Sequence, residues 1–180
     1  GGGAASGRHN DLTHGHYAFF PADHLHKITS SEGASVLIYE KKYVPPSGGV
    51  ADALGPNPPA PTFFVGYTDD LPNIETPGEV FGLKKLLPQT LEWDVNFHVM
   101  DFNPGEHLYV KEIHYNQHGL MLLEGKGVYR LGDDWYSVQA GDVIWMAPYV
   151  TQWYAALGYK RSRYIILKDT NRDPINTYVP

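Results

Sequence analysis

Three side chains of the kind that bind metal ions fall within seven residues of this sequence. The segment KEIHYNQHGL (residues 111–120) contains Glu112, His114 and His118, and its other residues have the pattern of a β-strand. A carboxylate in a buried strand is unfavourable unless a hydrogen bond or an opposite charge compensates it. The question is therefore what this segment binds.

Strand geometry predicts that the three side chains converge. Side chains alternate between the two faces of a strand, so the even-numbered residues from Leu108 to His114, including Glu112, are predicted to share an inward face. A tight turn at residues 115–117 would then bring His118, at the start of the next strand, close to His114. We expect the three ligand-type side chains to meet at one end of a hairpin.

Two imidazoles and one carboxylate, without a thiolate, are a ligand set used by first-row divalent metal ions. A single histidine in a strand is more often an ordinary hydrogen-bonded residue, but three such residues across one hairpin favour a metal site. A fourth ligand from elsewhere in the chain would leave room for water or a substrate. The order of metal affinities does not distinguish manganese, iron, nickel and zinc.

Short strands separated by turn residues account for most of the chain. Breaks such as Asn-Pro-Gly and Ala-Gly-Asp have turn chemistry, and the even spacing of the strands predicts an all-β sandwich or barrel. FGLKKLL (residues 81–87) fits either a helical turn or a strand. The stretch at residues 44–61, rich in Pro, Gly and Ala, is interpreted as a linker or long loop. The predicted strands lie at residues 16–20, 35–43, 95–102, 107–114, 118–125, 127–139 (with a Gly-Asp-Asp turn), 142–148, 152–157 and 162–169.

Composition excludes several classes of function. The 180-residue chain has no cysteine, so thiolate nucleophiles, disulfides and cysteine-type zinc sites are absent from this sequence. Its net charge is -6 and no basic run stands out, which argues against nucleic acid and anionic membranes as partners. No apolar run has transmembrane length, and the first residues lack the apolar core of a signal peptide, so we expect no targeting segment in this chain.

The chain also repeats itself along its length. Gly15 matches Gly141 and His26 matches Gln152, in the same order and with the same turn and strand between them. The repeat predicts the tail of one β-domain followed by a complete second copy. The matched segments are residues 12–26 with 138–152, and residues 35–42 with 162–169.

The spacing of these residues resembles the two motifs of the cupin family. Residues 105–125 follow the first motif, with Glu112 where a histidine is usual and His118 where the glutamate is usual. Residues 141–152 resemble the second motif, with Gln152 in place of its histidine. The resemblance implies an all-β cupin fold, a double-stranded β-helix or jelly-roll barrel, with a complete C-terminal cupin and a partial N-terminal one.

The order Glu-His-His-Gln is unusual among cupins and resembles that of the ureidoglycine aminohydrolases, two-cupin enzymes of allantoin and purine breakdown. The phrases KEIHYNQHGLMLLEGKGVYRLGDDWYSVQAGDVIWMAP and ETPGEVFGLKKLLP closely resemble the plant enzymes, and the likeness runs from about residue 12 to residue 175. The resemblance implies an Mn²⁺-dependent hydrolase that acts on C–N bonds of linear amidines. Its reaction converts (S)-ureidoglycine into (S)-ureidoglycolate and ammonia.

The same resemblance assigns roles to individual residues. Glu112 and Lys168 would be catalytic, and Tyr164 and Lys168 share one face of the last predicted strand, so both could point into the barrel mouth. The metal ligands implied by the family are Glu112, His114, His118 and Gln152, and the implied substrate-binding residues are Glu112, Gln152, Tyr164 and Lys168.

The family pattern also implies how the chain is divided. We expect the C-terminal half of a first cupin module at residues 1–44, a linker at 45–75 and a metal-binding cupin domain at 76–180. An incomplete first module would expose strand edges and apolar residues, which favours a homo-oligomer. The apolar residues that we expect to be exposed are Phe19, Phe20 and Leu37.

A second metal site in the first module is not expected. An HGH…HLH pattern is formed by His14, His16, His24 and His26, but the opposing strands that would complete a site are missing from this sequence.

Plant relatives work in the endoplasmic reticulum, so the resemblance also predicts that location.

Three alternatives to this enzyme are a different cupin metalloenzyme such as an isomerase or dioxygenase, a non-catalytic cupin binding protein, and a fragment without activity. A glutamine as fourth ligand argues against the first. The presence of all four ligand-type residues argues against the second.

Overall fold

The computed structural model describes residues 9–168 and 171–172, and most of its regular structure is β-strand. The described part contains ten strands, one short α-helix and one 3-10 turn. The strands are β1 (His16–Phe19), β2 (Phe64–Tyr67), β3 (Gly82–Lys85), β4 (Asn96–Phe102), β5 (His118–Glu124), β6 (Lys126–Leu131), β7 (Asp134–Gln139), β8 (Val143–Met146), β9 (Gln152–Leu157) and β10 (Ser162–Lys168). The helix α1 is Gly48–Leu54 and the 3-10 turn is Thr68–Asp70.

Two antiparallel sheets enclose the main core. The larger sheet has the order β3-β4-β10-β5-β8 and the smaller one the order β7-β6-β9. Aromatic side chains from the two sheets meet in the centre, where the Tyr154 ring lies 5.0 Å from Phe102 and 5.4 Å from Tyr164. Burial of these apolar side chains is the main force that holds the sheets together.

Alternation along the strands decides which side chains enter this core. In β5, His118, Leu120 and Leu122 are buried, and their partners across the sheet in β10 are Lys168, Ile166 and Tyr164. Directly paired residues of antiparallel strands lie on the same face, so these two rows point inward together. The inward face is apolar at Leu122 and Tyr164 and becomes polar toward His118 and Lys168.

The N-terminal strands pack against the outside of the larger sheet. β1 and β2 pair in a small antiparallel sheet, and the Phe19 ring lies 4.6 Å from the ring of the buried Trp93. Phe19 and Phe20 are therefore half-buried rather than exposed as expected, whereas Leu37 is exposed. The cluster of buried residues also includes Leu87 and Val95.

One buried ion pair links these two parts. Arg163 of β10 donates two hydrogen bonds to Asp101 of β4, at 2.6 and 2.7 Å, and a third to Asp69 at 3.0 Å. The bidentate geometry of an arginine on a carboxylate fixes orientation as well as position. Arg163 therefore ties the 3-10 turn after β2 to the larger sheet.

Three sequence-based expectations about elements are wrong. Residues 35–43 are not a strand, because no neighbouring strand in the described chain offers them a hydrogen-bonding edge. Residues 107–114 make only single bridges, since the Tyr109 amide donates to the Glu79 carboxylate instead of to a strand. Residues 44–61 are not featureless, because they contain helix α1, whose Val50 is buried.

The open question at residues 81–87 is settled as strand β3, and the other predicted strands have counterparts in the fold. Residue 169, the predicted end of the last strand, lies outside the described residues. Residues 1–8 of the first predicted domain and residues 169–170 and 173–180 of the last one also lie outside them.

The backbone supports the internal repeat at two matched positions. Asp23 and Tyr149 are 126 residues apart and have φ angles of 61° and 62°, and they are the two non-glycine residues with positive φ in the described chain. Gly15 and Gly141, also 126 residues apart, have φ angles of 88° and 98°. Left-handed backbone is unfavourable for residues with a Cβ, so its recurrence at the same offset indicates two copies of one turn.

No helix among the described residues combines the length and the apolar character that a membrane span requires.

Gly127 of β6 provides a test of how tightly the two sheets are packed. A Cβ at this position would meet the Tyr154 ring and lie 2.5 Å from the carbonyl oxygen of Ala155. The Tyr154 hydroxyl is itself hydrogen-bonded to Ser162, so the ring cannot retreat freely. We expect Gly127→Ala to lower the free energy of unfolding by about 1–3 kcal/mol, measured by urea denaturation.

Gly119→Ala in β5 is the matched control, because a Cβ at this position would lie an ordinary 3.8 Å from the backbone oxygen of Ile144. We expect the control to change stability by less than about 0.5 kcal/mol. Equal losses in the two variants would show that the contact at Gly127 is not tight.

Candidate active site

The four predicted ligands lie at one end of the barrel, on three different parts of the chain. His118 begins β5 and Gln152 begins β9, while Glu112 and His114 lie on the extended segment before β5. The backbones of Glu112 and Gln152 exchange two hydrogen bonds, each of 2.9 Å. This single antiparallel pair holds the carboxylate beside the amide even though no continuous ladder surrounds it.

The His114 segment is held by a second backbone contact. The amide of Tyr149, in its left-handed turn, donates a 2.8 Å hydrogen bond to the carbonyl of His114. This turn lies just before β9, the strand that begins with Gln152. The ligand segment, residues 112–114, is therefore tied at both ends to residues 149–152.

The side chains converge on the amide group of Gln152. Its Oε1 lies 2.9 Å from His118 Nε2, and its Nε2 lies 2.9 Å from His114 Nε2. The same amide nitrogen donates to Glu112 Oε2 at 3.2 Å, and the two imidazole rings are 4.9 Å apart between centroids. The structure therefore brings together all four residues that the sequence predicted.

The predicted face of the ligand segment is partly wrong. Leu108 is buried, but Val110 is 58% exposed, so the strict alternation from Leu108 to His114 is broken. The reason is that residues 108–111 do not lie in a ladder, and the inward direction is restored only at the Glu112–Gln152 pair.

One backbone carbonyl lies against Nδ1 of both histidines. Nδ1 of His114 and Nδ1 of His118 lie 3.2 and 3.1 Å from the carbonyl oxygen of Asn116. A carbonyl can only accept a hydrogen bond, so Nδ1 carries the proton of neutral His114, whose Nε2 presents a lone pair to the Gln152 amide nitrogen. His118 faces an acceptor at each ring nitrogen, the Asn116 carbonyl and Gln152 Oε1, so a neutral ring can donate to only one of them. A proton on Nδ1 and a lone pair on Nε2 is the form that metal-ligating histidines commonly have.

The lone pairs leave one contact unsatisfied. His118 Nε2 and Gln152 Oε1 are both acceptors when a neutral His118 carries its proton on Nδ1, and they face each other at 2.9 Å. A cation at this position would satisfy both atoms, whereas a hydrogen bond would not. The donor set of two imidazole nitrogens, a carboxylate and an amide oxygen therefore fits a divalent first-row ion.

As the side chains stand, the described residues contain no group of three or more His, Cys, Asp or Glu that could hold an ion. The Gln152 amide lies among Glu112 and the two imidazoles, and its nitrogen, rather than its oxygen, faces Glu112 and His114. An amide binds metal ions through its oxygen, so this is the group whose orientation decides whether the ligands can share an ion.

Burial shifts the pKa values of the ligands in opposite directions. Burial raises the pKa of Glu112, and the nearby Lys168 ammonium partly offsets that effect. Burial, together with the charge of Lys168, lowers the pKa of His114 to about 4, and burial lowers that of His118 as well. Both imidazoles are consequently neutral at pH 7, the form in which histidine binds metals.

Lys168 and Tyr164 flank the ligands on β10. Lys168 Nζ lies 3.1 Å from His114 Nε2, and burial lowers its pKa despite the opposing effect of Glu112. Tyr164 is on the same face four residues earlier, buried against the rings of Phe102 and Tyr154. The prediction that both point toward the barrel interior agrees with these positions.

Two residues near the ligands were missed by the sequence analysis. The hydroxyl of the buried Tyr129 donates to Gln152 Oε1 at 3.3 Å. His98 of β4 is 8% exposed, and its Nε2 has no hydrogen-bond partner among the described residues. A signal for His98 was present, since Asn96 and His98 are polar residues at the period-two positions that continue inward to Met100 and Phe102.

The histidines of the first copy do not form a comparable site. His24 and His26 stack on the aromatic rings of Phe63 and Phe20, and His16 is hydrogen-bonded to Thr13. His26, the counterpart of Gln152 in the repeat, is exposed, and so is His14.

Comparison with known proteins relates this arrangement to named relatives. The chain is 54% identical over 164 residues to the (S)-ureidoglycine aminohydrolase of Arabidopsis thaliana, and this alignment covers 91% of the chain and 52% of that protein. It is 53% identical over 170 residues to the "Probable (S)-ureidoglycine aminohydrolase" of Oryza sativa subsp. japonica, covering 94% of the chain and 52% of the relative. The chain thus spans about half the length of the curated relatives that it matches.

Solved structures give the fold. Protein Ylba from E. coli has a TM-score of 0.53 at 34% identity, over 63% of this chain and 43% of that one. The cupin domain of Schizosaccharomyces pombe Cnp3 has a TM-score of 0.50 at 16% identity, over 60% of this chain and 76% of that one. A search of protein-family models gives no match. The chain has an all-β cupin fold and is homologous, over the half of their length that it spans, to the (S)-ureidoglycine aminohydrolases.

Proposed function

We propose that this chain hydrolyses (S)-ureidoglycine to (S)-ureidoglycolate and ammonia, a step in the breakdown of allantoin and purines. The observation that carries the proposal is the convergence of Glu112, His114 and His118 on the Gln152 amide, within 2.9–3.2 Å. This is an unusual cupin ligand set, and it occurs in a chain whose curated relatives are named after this reaction. The substrate would be a small molecule.

The proposed cofactor is one divalent cation, and our choice is Mn²⁺. Glu112, His114, His118 and Gln152 would hold it, because they offer a mixture of nitrogen and oxygen donors without sulfur. When bound, such an ion supplies a Lewis acid and an anchoring positive charge. With the Nδ1 protons donated to the Asn116 carbonyl, Nε2 of both imidazoles would be free to act as a ligand.

Lys168 is proposed to bind the carboxylate of the substrate. Its ammonium lies at the polar end of the inward face, 3.1 Å from His114 Nε2, and an ammonium next to a carboxylate makes a charge-assisted hydrogen bond. Tyr164 lies deeper on the same face, and we propose that it is the neighbouring hydrogen-bonding residue. Half-buried surroundings strengthen these interactions relative to water.

Glu112 is proposed to move the proton that the reaction requires. The oxygen of a water molecule forms a bond to the substrate carbon, the bond from that carbon to the amine nitrogen breaks, and one proton passes from the water to the departing ammonia. A carboxylate whose pKa is raised by burial is better matched to this task at neutral pH than an ordinary glutamate.

A homo-oligomeric state, location in the endoplasmic reticulum and the predicted domain boundaries stay predictions.

Metal content is the first test of this proposal. We expect the purified chain, reconstituted with Mn²⁺ and desalted, to hold one ion per chain by elemental analysis. Gln152→Leu should weaken Mn²⁺ binding at least about tenfold, because it removes an oxygen donor from the set. Gln139→Leu, at an exposed glutamine of β7, is the control and should bind like the unaltered chain. Equal affinity in both variants would remove Gln152 from the metal site.

Glu112→Gln tests the proton transfer. We expect at least about 100-fold slower ammonia release from freshly prepared (S)-ureidoglycine, because an amide of the same shape cannot accept the proton. Ammonia is measured with a coupled enzyme assay at fixed Mn²⁺ occupancy. Glu106→Gln, on the turn that leads into the same segment, is the matched control and should retain activity. Full activity of Glu112→Gln would exclude this carboxylate from the chemistry.

Lys168→Met tests substrate anchoring. We expect KM for (S)-ureidoglycine to rise at least about tenfold with a smaller change in kcat, because the variant loses a charge-assisted hydrogen bond to the substrate. Lys160→Met removes an exposed positive charge from the loop before β10, at the other end of this strand from Lys168, and should leave KM unchanged. A KM for Lys168→Met equal to that of this control would contradict the assigned role.

A further inference from the structure

β4 contains a buried histidine that the proposed mechanism does not use. His98 is 8% exposed, and its Nε2 is buried without a hydrogen-bond partner among the described residues. Buried polar atoms in proteins are nearly always paired, and an exception commonly marks a ligand or a water molecule. The interior face on which His98 lies is also the one that holds Lys168 and His118.

Strand register fixes where His98 lies relative to the site. Asn96, Lys168 and His118 are directly paired across β4, β10 and β5, and they form the row at the polar end of the face. The next row inward is His98, Ile166 and Leu120. Successive inward rows are about 6.6 Å apart along a strand, so His98 is one row deeper than the proposed carboxylate anchor.

The surroundings of His98 favour an uncharged partner. Burial lowers its pKa to about 3, and the neighbouring charges of Lys85 and Lys168 act in the same direction. Lys85 is directly paired with His98 on β3, so a protonated imidazole would lie beside another cation. A neutral imidazole forms hydrogen bonds to neutral polar groups without the desolvation cost of a second charge.

The shape of the proposed substrate matches this arrangement. In (S)-ureidoglycine the ureido group is attached to the carbon that also bears the carboxylate. A carboxylate held at Lys168 therefore leaves the ureido group to extend about one row along the inward face. The ureido group is planar, uncharged and rich in hydrogen-bonding atoms, unlike the other two substituents of that carbon.

We propose that Nε2 of His98 contacts the ureido group of the substrate and makes the site selective for ureido acids. This inference rests on the proposed function, because the proposed substrate defines which group reaches His98. The contact would also satisfy a nitrogen that has no partner among the described residues.

The test compares two ligands of similar shape in the 180-residue chain loaded with Mn²⁺. Ureidoacetate is the substrate without its amine and cannot release ammonia, and 4-methylpentanoate keeps the carboxylate but replaces the ureido group with an apolar one. Isothermal titration calorimetry gives the ratio of the two Kd values for each variant. Solvation of the free ligands cancels when that ratio is compared between variants.

Two substitutions separate the ring nitrogens of His98. The amide of glutamine reaches the position of Nε2, whereas the amide of asparagine reaches only the position of Nδ1. We expect His98→Asn to reduce the preference for ureidoacetate at least about tenfold and His98→Gln to keep it within about threefold. His107→Gln, at a half-buried histidine bridged to β9, is the control and should leave the preference unchanged.

The outcomes distinguish this inference from the proposed function. If the unaltered chain hydrolyses ureidoglycine but His98→Asn keeps the full preference, the role of His98 is overturned and the activity stands. If there is no hydrolysis but His98→Asn loses the preference, the activity is refuted and the ureido contact stands. Failure of the unaltered chain to prefer ureidoacetate overturns the inference.

A second measurement covers the case in which a variant does not fold. The ¹⁵N chemical shift of His98 Nε2 is followed in the unaltered chain, loaded with the diamagnetic Zn²⁺, as ureidoacetate is added. We expect this resonance to move on binding while that of His107 stays in place. A resonance of His98 that does not move at saturating ureidoacetate overturns the contact.

Discussion

The two backbone hydrogen bonds between Glu112 and Gln152 are the constraint on which the site depends. Residues 107–117 belong to no regular strand, so no continuous ladder of hydrogen bonds fixes the direction of the Glu112 side chain. A pair of reciprocal 2.9 Å bonds fixes the register at one point and places the carboxylate beside the first residue of β9. The Tyr149–His114 backbone contact extends this attachment to the next ligand. The ligand segment can thus leave the ladder and still deliver two side chains to one place.

The chemistry of the site follows from what surrounds those side chains. Burial keeps the imidazoles neutral, and with the Nδ1 protons donated to the Asn116 carbonyl both Nε2 atoms face Gln152 as acceptors. Two acceptors then face each other at His118 and Gln152, an arrangement that is unfavourable without a cation. Neutral imidazoles leave their nitrogen lone pairs available, because a proton and a metal ion compete for the same atom.

Sequence patterns predicted the strands well where side chains alternate between core and solvent. β4, β5 and β10 have this alternation, and their predicted and observed bounds agree closely. The repeat was visible for the same reason, and the positive φ angles at Asp23 and Tyr149 support it in a way that residue types alone did not suggest. Glu112, His114 and His118 could be proposed as ligands because their types and spacing are independent of fine geometry, whereas Gln152 came from the family resemblance. Their role as metal ligands stays a prediction.

Other features could not be read from local patterns because they depend on distant partners. The segment at residues 35–43 has the composition of a strand, but a strand needs an edge to pair with. Val110 is exposed because the chain next to it is not part of a strand ladder. The amide of the neighbouring Tyr109 donates its hydrogen bond to the carboxylate of Glu79, a residue distant in sequence. The position of His98 beside the site depends on the register of β4 against β10, and the orientation of the Gln152 amide depends on four neighbours at once.

Anomalous X-ray diffraction at the manganese edge, on crystals of the chain grown with Mn²⁺, tests the central claim most directly. The account predicts one strong peak at the end of the barrel, bound by Nε2 of both imidazoles, a Glu112 carboxylate oxygen and Oε1 of Gln152. A map without a peak between those four side chains at full Mn²⁺ saturation, or an ion bound elsewhere in the chain, would contradict it.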